Sequence, residues 1–161
     1  NLLTWARTQM SSDQIQRTNI NISELIEENK LLFEKQLDQK RQNITNLVSQ
    51  DTIISTDRDR LNFIIRNILS NSIKFTPDGG EISIINDPKA PKTIFIKDNG
   101  IGMSQRQIDS LFDKKQFSTI GTNGEPGTGL MLCKDFAESI GATISVSSIL
   151  GDSTTFKIEL G

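Results

Sequence analysis

Histidine is absent from this 161-residue sequence, and cysteine occurs once, as Cys133. Those two facts exclude an internal disulfide, a Cys/His zinc centre, a Ser-His triad and a Cys-His dyad. Long apolar runs are missing too. Nothing approaches the ~18 consecutive apolar residues of a membrane-spanning helix. A surplus of positive charge is also lacking: the net charge is −2, so the basic patch of a DNA or RNA reader is not expected. What is present is ordinary for a folded domain, with 35% hydrophobic and 24% charged residues. A chain of this length hides about 68–70% of the surface its unfolded form exposes, enough for a core without cross-links. Cys133 lies in the apolar stretch Leu130-Met-Leu-Cys133-Lys-Asp-Phe136 and reads as a small buried hydrophobe.

Residues 1–10 place Leu2, Leu3, Ala6 and Met10 on one helical stripe with no N-cap before them. They read as the end of a longer helix or as a plain N-terminal helix. Residues 19–22 alternate like a strand. A helix is expected from Ser23 to about Lys40, with Leu25, Ile26, Leu31, Leu32 and Leu37 as its apolar positions. Residues 43–48 and 51–55 suggest two strands joined by a turn at Ser49-Gln50. Asp57-Arg58-Asp59-Arg60 suits a helix N-terminus. Leu61, Ile64, Ile65, Ile68 and Leu69 form that helix's buried stripe, and Thr76-Pro77-Asp78-Gly79-Gly80 ends it. Strands follow at 81–85 and 92–97, then a short helix at 105–112. Residues 117–128 have the composition of a long loop. A helix over 128–140 and a hairpin of strands at 143–147 and 154–160 complete the chain. Strands paired between helices favour helices layered on a mixed sheet.

Three segments carry chemistry. In RNILSNSIKFTPDGG (66–80), Asn67, Asn71 and Lys74 stand at i, i+4 and i+7 and share a helix face. Amide oxygens suit Mg²⁺ held together with nucleotide phosphates, and lysine adds a point charge. Alone, the same seam reads equally as a solvated helix face. DNGIGM (98–103) follows a strand. Alone it is a turn. Its functional reading gives Asp98 a hydrogen bond from a purine amino group, with Gly100 and Gly102 clearing Cβ atoms from the ring's path. GTGLML (127–132) opens a helix, whose free N–H groups favour an anion.

In this order and spacing, the three segments resemble the N, G1 and G2 boxes of the ATP-binding catalytic domain of sensor histidine kinases. These belong to the wider gyrase, Hsp90, histidine kinase and MutL superfamily. The likeness covers residues 18–160. It implies a Bergerat-type α+β two-layer sandwich, with a mixed, mostly antiparallel sheet covered on one face by about three helices. It implies ATP and Mg²⁺ as ligands, Asp98 as the adenine-binding acid, Asn71 and Asn67 at the metal, and Lys74 beside the phosphates. Phe75, Gly100, Gly102, Met103, Phe112, Thr119, Gly127, Thr128, Gly129 and Leu130 complete the implied nucleotide contacts. Leu111, Phe112 and Phe117 resemble the F box, and the residues up to Gly127 the ATP lid. Two positions depart from the pattern: Met131 replaces a frequent glycine, and Ile120 a frequent lysine.

Superfamily members that hydrolyse ATP place a glutamate base where this chain has Asn67, which accepts no proton at neutral pH. The implied function is therefore transfer of the γ-phosphoryl group to a histidine. That histidine is expected on a dimerisation domain outside this sequence, and a response-regulator receiver is expected downstream. Residues 1–16 would be the stub and linker of the dimerisation helix, and 17–161 the catalytic domain. The resemblance further implies a homodimeric full-length protein, a monomeric isolated domain, no nucleic-acid partner, and the cytoplasmic portion of a membrane-anchored sensor. Two alternatives remain at this level. One is a non-catalytic nucleotide-binding signalling module, to which Met131 and Ile120 point. The other is an ATPase of the Hsp90 or MutL kind.

Overall fold

The computed structural model describes residues 14–112 and 127–161. Along them run β1 (Arg17–Asn21), α1 (Ile22–Leu32), α2 (Glu34–Lys40), β2 (Asn43–Asn46), β3 (Ile53–Asp57) and α3 (Arg58–Phe75). Then follow β4 (Glu81–Asp87), β5 (Ala90–Asp98), α4 (Gln105–Ser110), α5 (Gly127–Ser139), β6 (Thr143–Ile149) and β7 (Ser153–Glu159). The helix expected over residues 1–10 and the loop at 117–126 lie outside the described residues.

Five strands form the main sheet in the order β2-β4-β5-β7-β6. β2 runs parallel to β4, and the other pairings are antiparallel. β1 and β3 make a separate antiparallel pair. The alternation of side chains explains the layering. Ile82 and Ile84, Ile94 and Ile96, and Phe156 and Ile158 are all buried. They stand in register, with Ile84, Ile96, Phe156 and Val146 forming one row across four strands. Each fully buried isoleucine contributes about 1.5–3 kcal/mol. Helices α1, α3 and α5 supply the opposing layer through Leu25, Ile26, Leu61, Ile64, Ile65, Ile68, Leu132, Cys133 and Phe136. Phe63 and Phe136 meet edge to face at 4.9 Å, a favoured aromatic geometry. Ile85 and Lys97 on the opposite sheet face stay exposed. The two-layer expectation is met.

Three local features have physical reasons, and the first two depart from the sequence expectation. The helix expected over 23–40 is interrupted at Phe33, where the backbone turns (φ −98°, ψ 4°). Leu31 and Leu32 are exposed instead of buried. The inward position goes to Asn29, whose amide donates to Leu25 O (2.8 Å) and to Asn62 Oδ1 (2.7 Å). Second, β2 and β3 are not a hairpin: β2 joins β4 in the main sheet, and β3 joins β1. A parallel neighbour requires a crossover, and α3 lies within the one that links β2 to β4. Third, α3 begins at a buried ion pair. Asp57 caps it, accepting from Arg60 N (3.1 Å), from the Arg60 guanidinium (2.6 Å) and from Gln16 N (3.0 Å). Burial pushes the Asp57 carboxyl up, but these donors outweigh it and hold the pKa below its ordinary value.

Candidate functional site

α3 ends beside the end of β5, and the loop after β5 crosses the last turn of α3. Ile101 N donates to Phe75 O at 3.3 Å. A hollow of about 310 Å³, counting its open mouth, lies at this junction. Asn71, Ser72 and Phe75 of α3 line it, with Asp98 of β5 and Gly102, Met103 and Leu111 of the following segment. Leu130 of α5 and Thr154 and Phe156 of β7 complete the wall. Apolar walls with a few polar groups are typical of a small-molecule site.

Asp98 belongs to a polar row at one end of the otherwise apolar sheet face. The row runs Ile82, Asp98, Thr154, Ser148, and its last three members are polar. The side chain is buried, and its Oδ1 accepts from Gly100 N at 2.9 Å. Desolvation raises its pKa above the ordinary carboxylate value. The Gly100 N–H, the nearby Ser72 hydroxyl and the Thr154 N–H offset only part of that. Ser72 Oγ is itself buried without good hydrogen-bond geometry, so its effect on Asp98 is one of proximity. The second carboxylate oxygen is what a ligand N–H could use.

The loop after Asp98 is also held by the β6–β7 hairpin. Met103 N donates to Ser148 Oγ (2.7 Å), and Gly151 N donates to Ile101 O (2.6 Å). Gly102 has φ +70°, and a Cβ there would sit 2.1 Å from Ile149 O. On Gly100 a Cβ would sit 2.5 Å from Phe75 O. Both glycines are therefore demanded by the chain's own backbone, whereas the sequence suggested clearance for a ring.

Asn71 is buried, and its amide nitrogen has no hydrogen-bond partner among the described residues. Asn67 lies one turn earlier and half-buried, off the wall of the hollow. Its amide donates to Phe63 O at 2.8 Å, which leaves the oxygen as the atom it can offer a ligand. Lys74 is exposed, with its ammonium 5.3 Å from the Phe75 ring centre. Among the described residues no cluster of three acidic, His or Cys side chains could hold a metal. The donors available to a cation here are neutral amide oxygens, which suit Mg²⁺ only when phosphate and water supply the remaining ligands.

Of the residues picked from sequence, Asn71, Phe75, Asp98, Gly102, Met103 and Leu130 meet on the hollow. Gly100 adjoins it through Asp98. Asn67 and Lys74 flank it, and Phe112 packs on the core. Gly127, Thr128 and Gly129 open α5, while Thr119 lies outside the described residues. Sequence reading missed Ser72, Thr154 and Phe156. Ser72 is signalled by its place beside Asn71. Thr154 and Phe156 become visible only once β7 is registered against β5.

Residues 56–161 match the family of histidine kinase-, DNA gyrase B- and HSP90-like ATPases. The chain belongs to that family. It is similar to the sensor protein SrrB of Staphylococcus aureus, at 31% identity over 163 residues. The match covers 99% of this chain and 28% of SrrB, so the chain spans less than a third of that relative's length. Solved histidine kinases share the fold. The catalytic domain of ThkA superposes with a TM-score of 0.74 at 23% identity, covering 90% of this chain and 96% of that one. Full-length ShkA, solved in complex with AMPPNP, gives 0.79 at 22% identity, covering 99% of this chain and 34% of that one. The family's ATPase fold thus accounts for the sheet, the helical layer and the hollow between α3, β5 and α5.

Proposed function

We propose that this chain is the ATP-binding catalytic domain of a sensor histidine kinase, with residues 17–161 as the catalytic unit. It binds Mg-ATP and presents the γ-phosphoryl group to a histidine on a dimerisation domain elsewhere in the same protein. A response-regulator receiver then takes the phosphoryl group. The sensor would be membrane-anchored, with this domain on the cytoplasmic side. Among the described residues no helix is long and apolar enough to cross a membrane, so the anchor would belong to another part of the protein.

The observation that carries this reading is that Asp98 and Asn71 line one hollow. Asp98 would accept from the adenine amino group, between the apolar surfaces of Met103, Leu130 and Phe156. Asn71, assisted by Asn67, would hold Mg²⁺ through amide oxygens, and Lys74 would contact phosphate. The metal would neutralise charge on the β- and γ-phosphates. The N–H groups at the start of α5 suit the same anions.

Chemistry at the phosphate end depends on what is missing there. Asp98 is the single acid or base among the described residues that line the hollow. It sits at the turn that would receive the purine, and Asn67 cannot take a proton from water. Phosphoryl transfer relies mainly on positioning and charge stabilisation, so a site with no base at its phosphate end among the described residues favours transfer to an incoming imidazole over hydrolysis. The sequence contains no histidine, so that nucleophile must be supplied by another segment.

Calorimetric titration with ADP and Mg²⁺ tests the nucleotide reading. The wild-type chain should bind, and Asp98→Asn should weaken binding by at least about a hundredfold, as expected when a buried donor loses its acceptor. Equal affinity in the two proteins refutes the adenine assignment. Joining the chain to its dimerisation helices and adding labelled ATP should give acid-labile phosphohistidine. Rapid release of phosphate without it would point to an ATPase.

A further inference from the structure

The end of α3 that faces the hollow is not closed by its own backbone. Pro77 follows directly, and the residue before a proline avoids helical geometry. Thr76 accordingly has φ −95° and ψ 132°, and no glycine cap follows within the turn. The last carbonyls of a helix need partners from outside under these conditions. They find them in one short segment. Lys40 Nζ donates to Ile73 O (2.6 Å), Thr76 O (2.9 Å) and Lys74 O (3.3 Å). An ammonium has three protons, and here it has three carbonyls. Gln42 Nε2 donates to Thr76 O (2.6 Å) and Ile73 O (3.0 Å), with a long contact to Pro77 O (3.4 Å). Arg41 between them takes a left-handed backbone (φ 53°), which reverses the chain so that both neighbours reach α3. The remaining carbonyl, Phe75 O, accepts Ile101 N from the loop after Asp98.

We propose that Lys40 and Gln42 are positioning residues for nucleotide binding, clamping the last turn of α3 so that Asn71, Phe75 and the loop after Asp98 hold their places around the hollow. Neither touches the hollow, and both act through the carbonyls they hold. A cation at a helix C-terminus is also favoured by the helix dipole. This inference rests on the nucleotide-binding reading above.

The test uses the whole chain with three variants: Lys40→Met, Lys40→Arg and Gln42→Leu. Affinity for ADP is read by calorimetry, and amide exchange by NMR or mass spectrometry. Lys40→Met should weaken ADP binding about tenfold, the scale of one charged hydrogen bond. It should also speed exchange at the Ile101 amide while leaving the β5–β7 ladder protected. Lys40→Arg, which keeps donors and charge, should recover most of the affinity. Gln42→Leu removes the second donor set and should show the same two effects if Lys40→Met does not fold. Unchanged affinity with unchanged Ile101 exchange overturns the clamp. A uniform rise in exchange across the molecule does so as well, because it marks a merely structural role. If the wild-type chain fails to bind ADP, the nucleotide reading falls, and the exchange comparison still decides whether the clamp orders the loop.

Discussion

Asp98 is the carboxylate that the described residues place on the wall of the hollow. It is buried, and desolvation raises its pKa above the ordinary carboxylate value near 3.9. The folded state therefore binds this proton more tightly than the unfolded state. Stability from this group is fully present below the unfolded pKa and is lost as pH rises through the raised folded value. Ligand affinity runs the other way, because a charged carboxylate accepts an N–H more strongly than a neutral acid. ADP affinity should fall on acidification through the raised pKa, while thermal stability, corrected for other carboxylates with Asp98→Asn, should rise. Calorimetry and melting curves across the acidic range check both signs. Asp98 was singled out by the order and spacing of three segments together and the family they resemble, because DNGIGM by itself reads as a turn. The threonine that shares its sheet row was hidden, since nothing local to residue 154 reveals which strand it will lie beside.

Elements meet at the loop after β5, where α3 and the β6–β7 hairpin are both tied to one turn. Gly102 carries a positive φ and has no room for a Cβ against Ile149 O. Gly102→Ala should cost about 1–3 kcal/mol through backbone strain. It should also weaken ADP binding, because Met103 loses its hold on Ser148. Urea unfolding and titration of the same variant check both effects; an unaltered urea midpoint would show that the turn relaxes freely. Helices and single strands were readable from the periods of Leu, Ile and Val, which are local properties. Their partners were not. A turn at Ser49-Gln50 suggested a hairpin, but the apolar positions Ile44 and Ile54 belong to two different sheets. The exposure of Leu31 and Leu32 was equally invisible, because the inward place goes to Asn29, which meets Asn62 on another helix.

Taken whole, the molecule places its hollow where helical layer and sheet meet at one end, so a ligand there bridges α3, β5, β7 and α5. Binding to the folded state alone should raise global stability by about 2.7 kcal/mol at a hundred times Kd. A chain of this size should respond with a melting shift of about 2–4 °C per kcal/mol. Scanning calorimetry with and without ADP and Mg²⁺ measures it, and Asp98→Asn should abolish the shift. The row that carries Asp98 has one more implication. Neighbours along a strand point to opposite faces, so losing or gaining a single residue within β5 would swing Lys97 or Asn99 inward and the acid out to solvent. An amino group would then confront an ammonium or an amide in place of a carboxylate. Point substitutions along most of this strand are survivable errors; a frame slip of one residue rewrites what the protein can recognise.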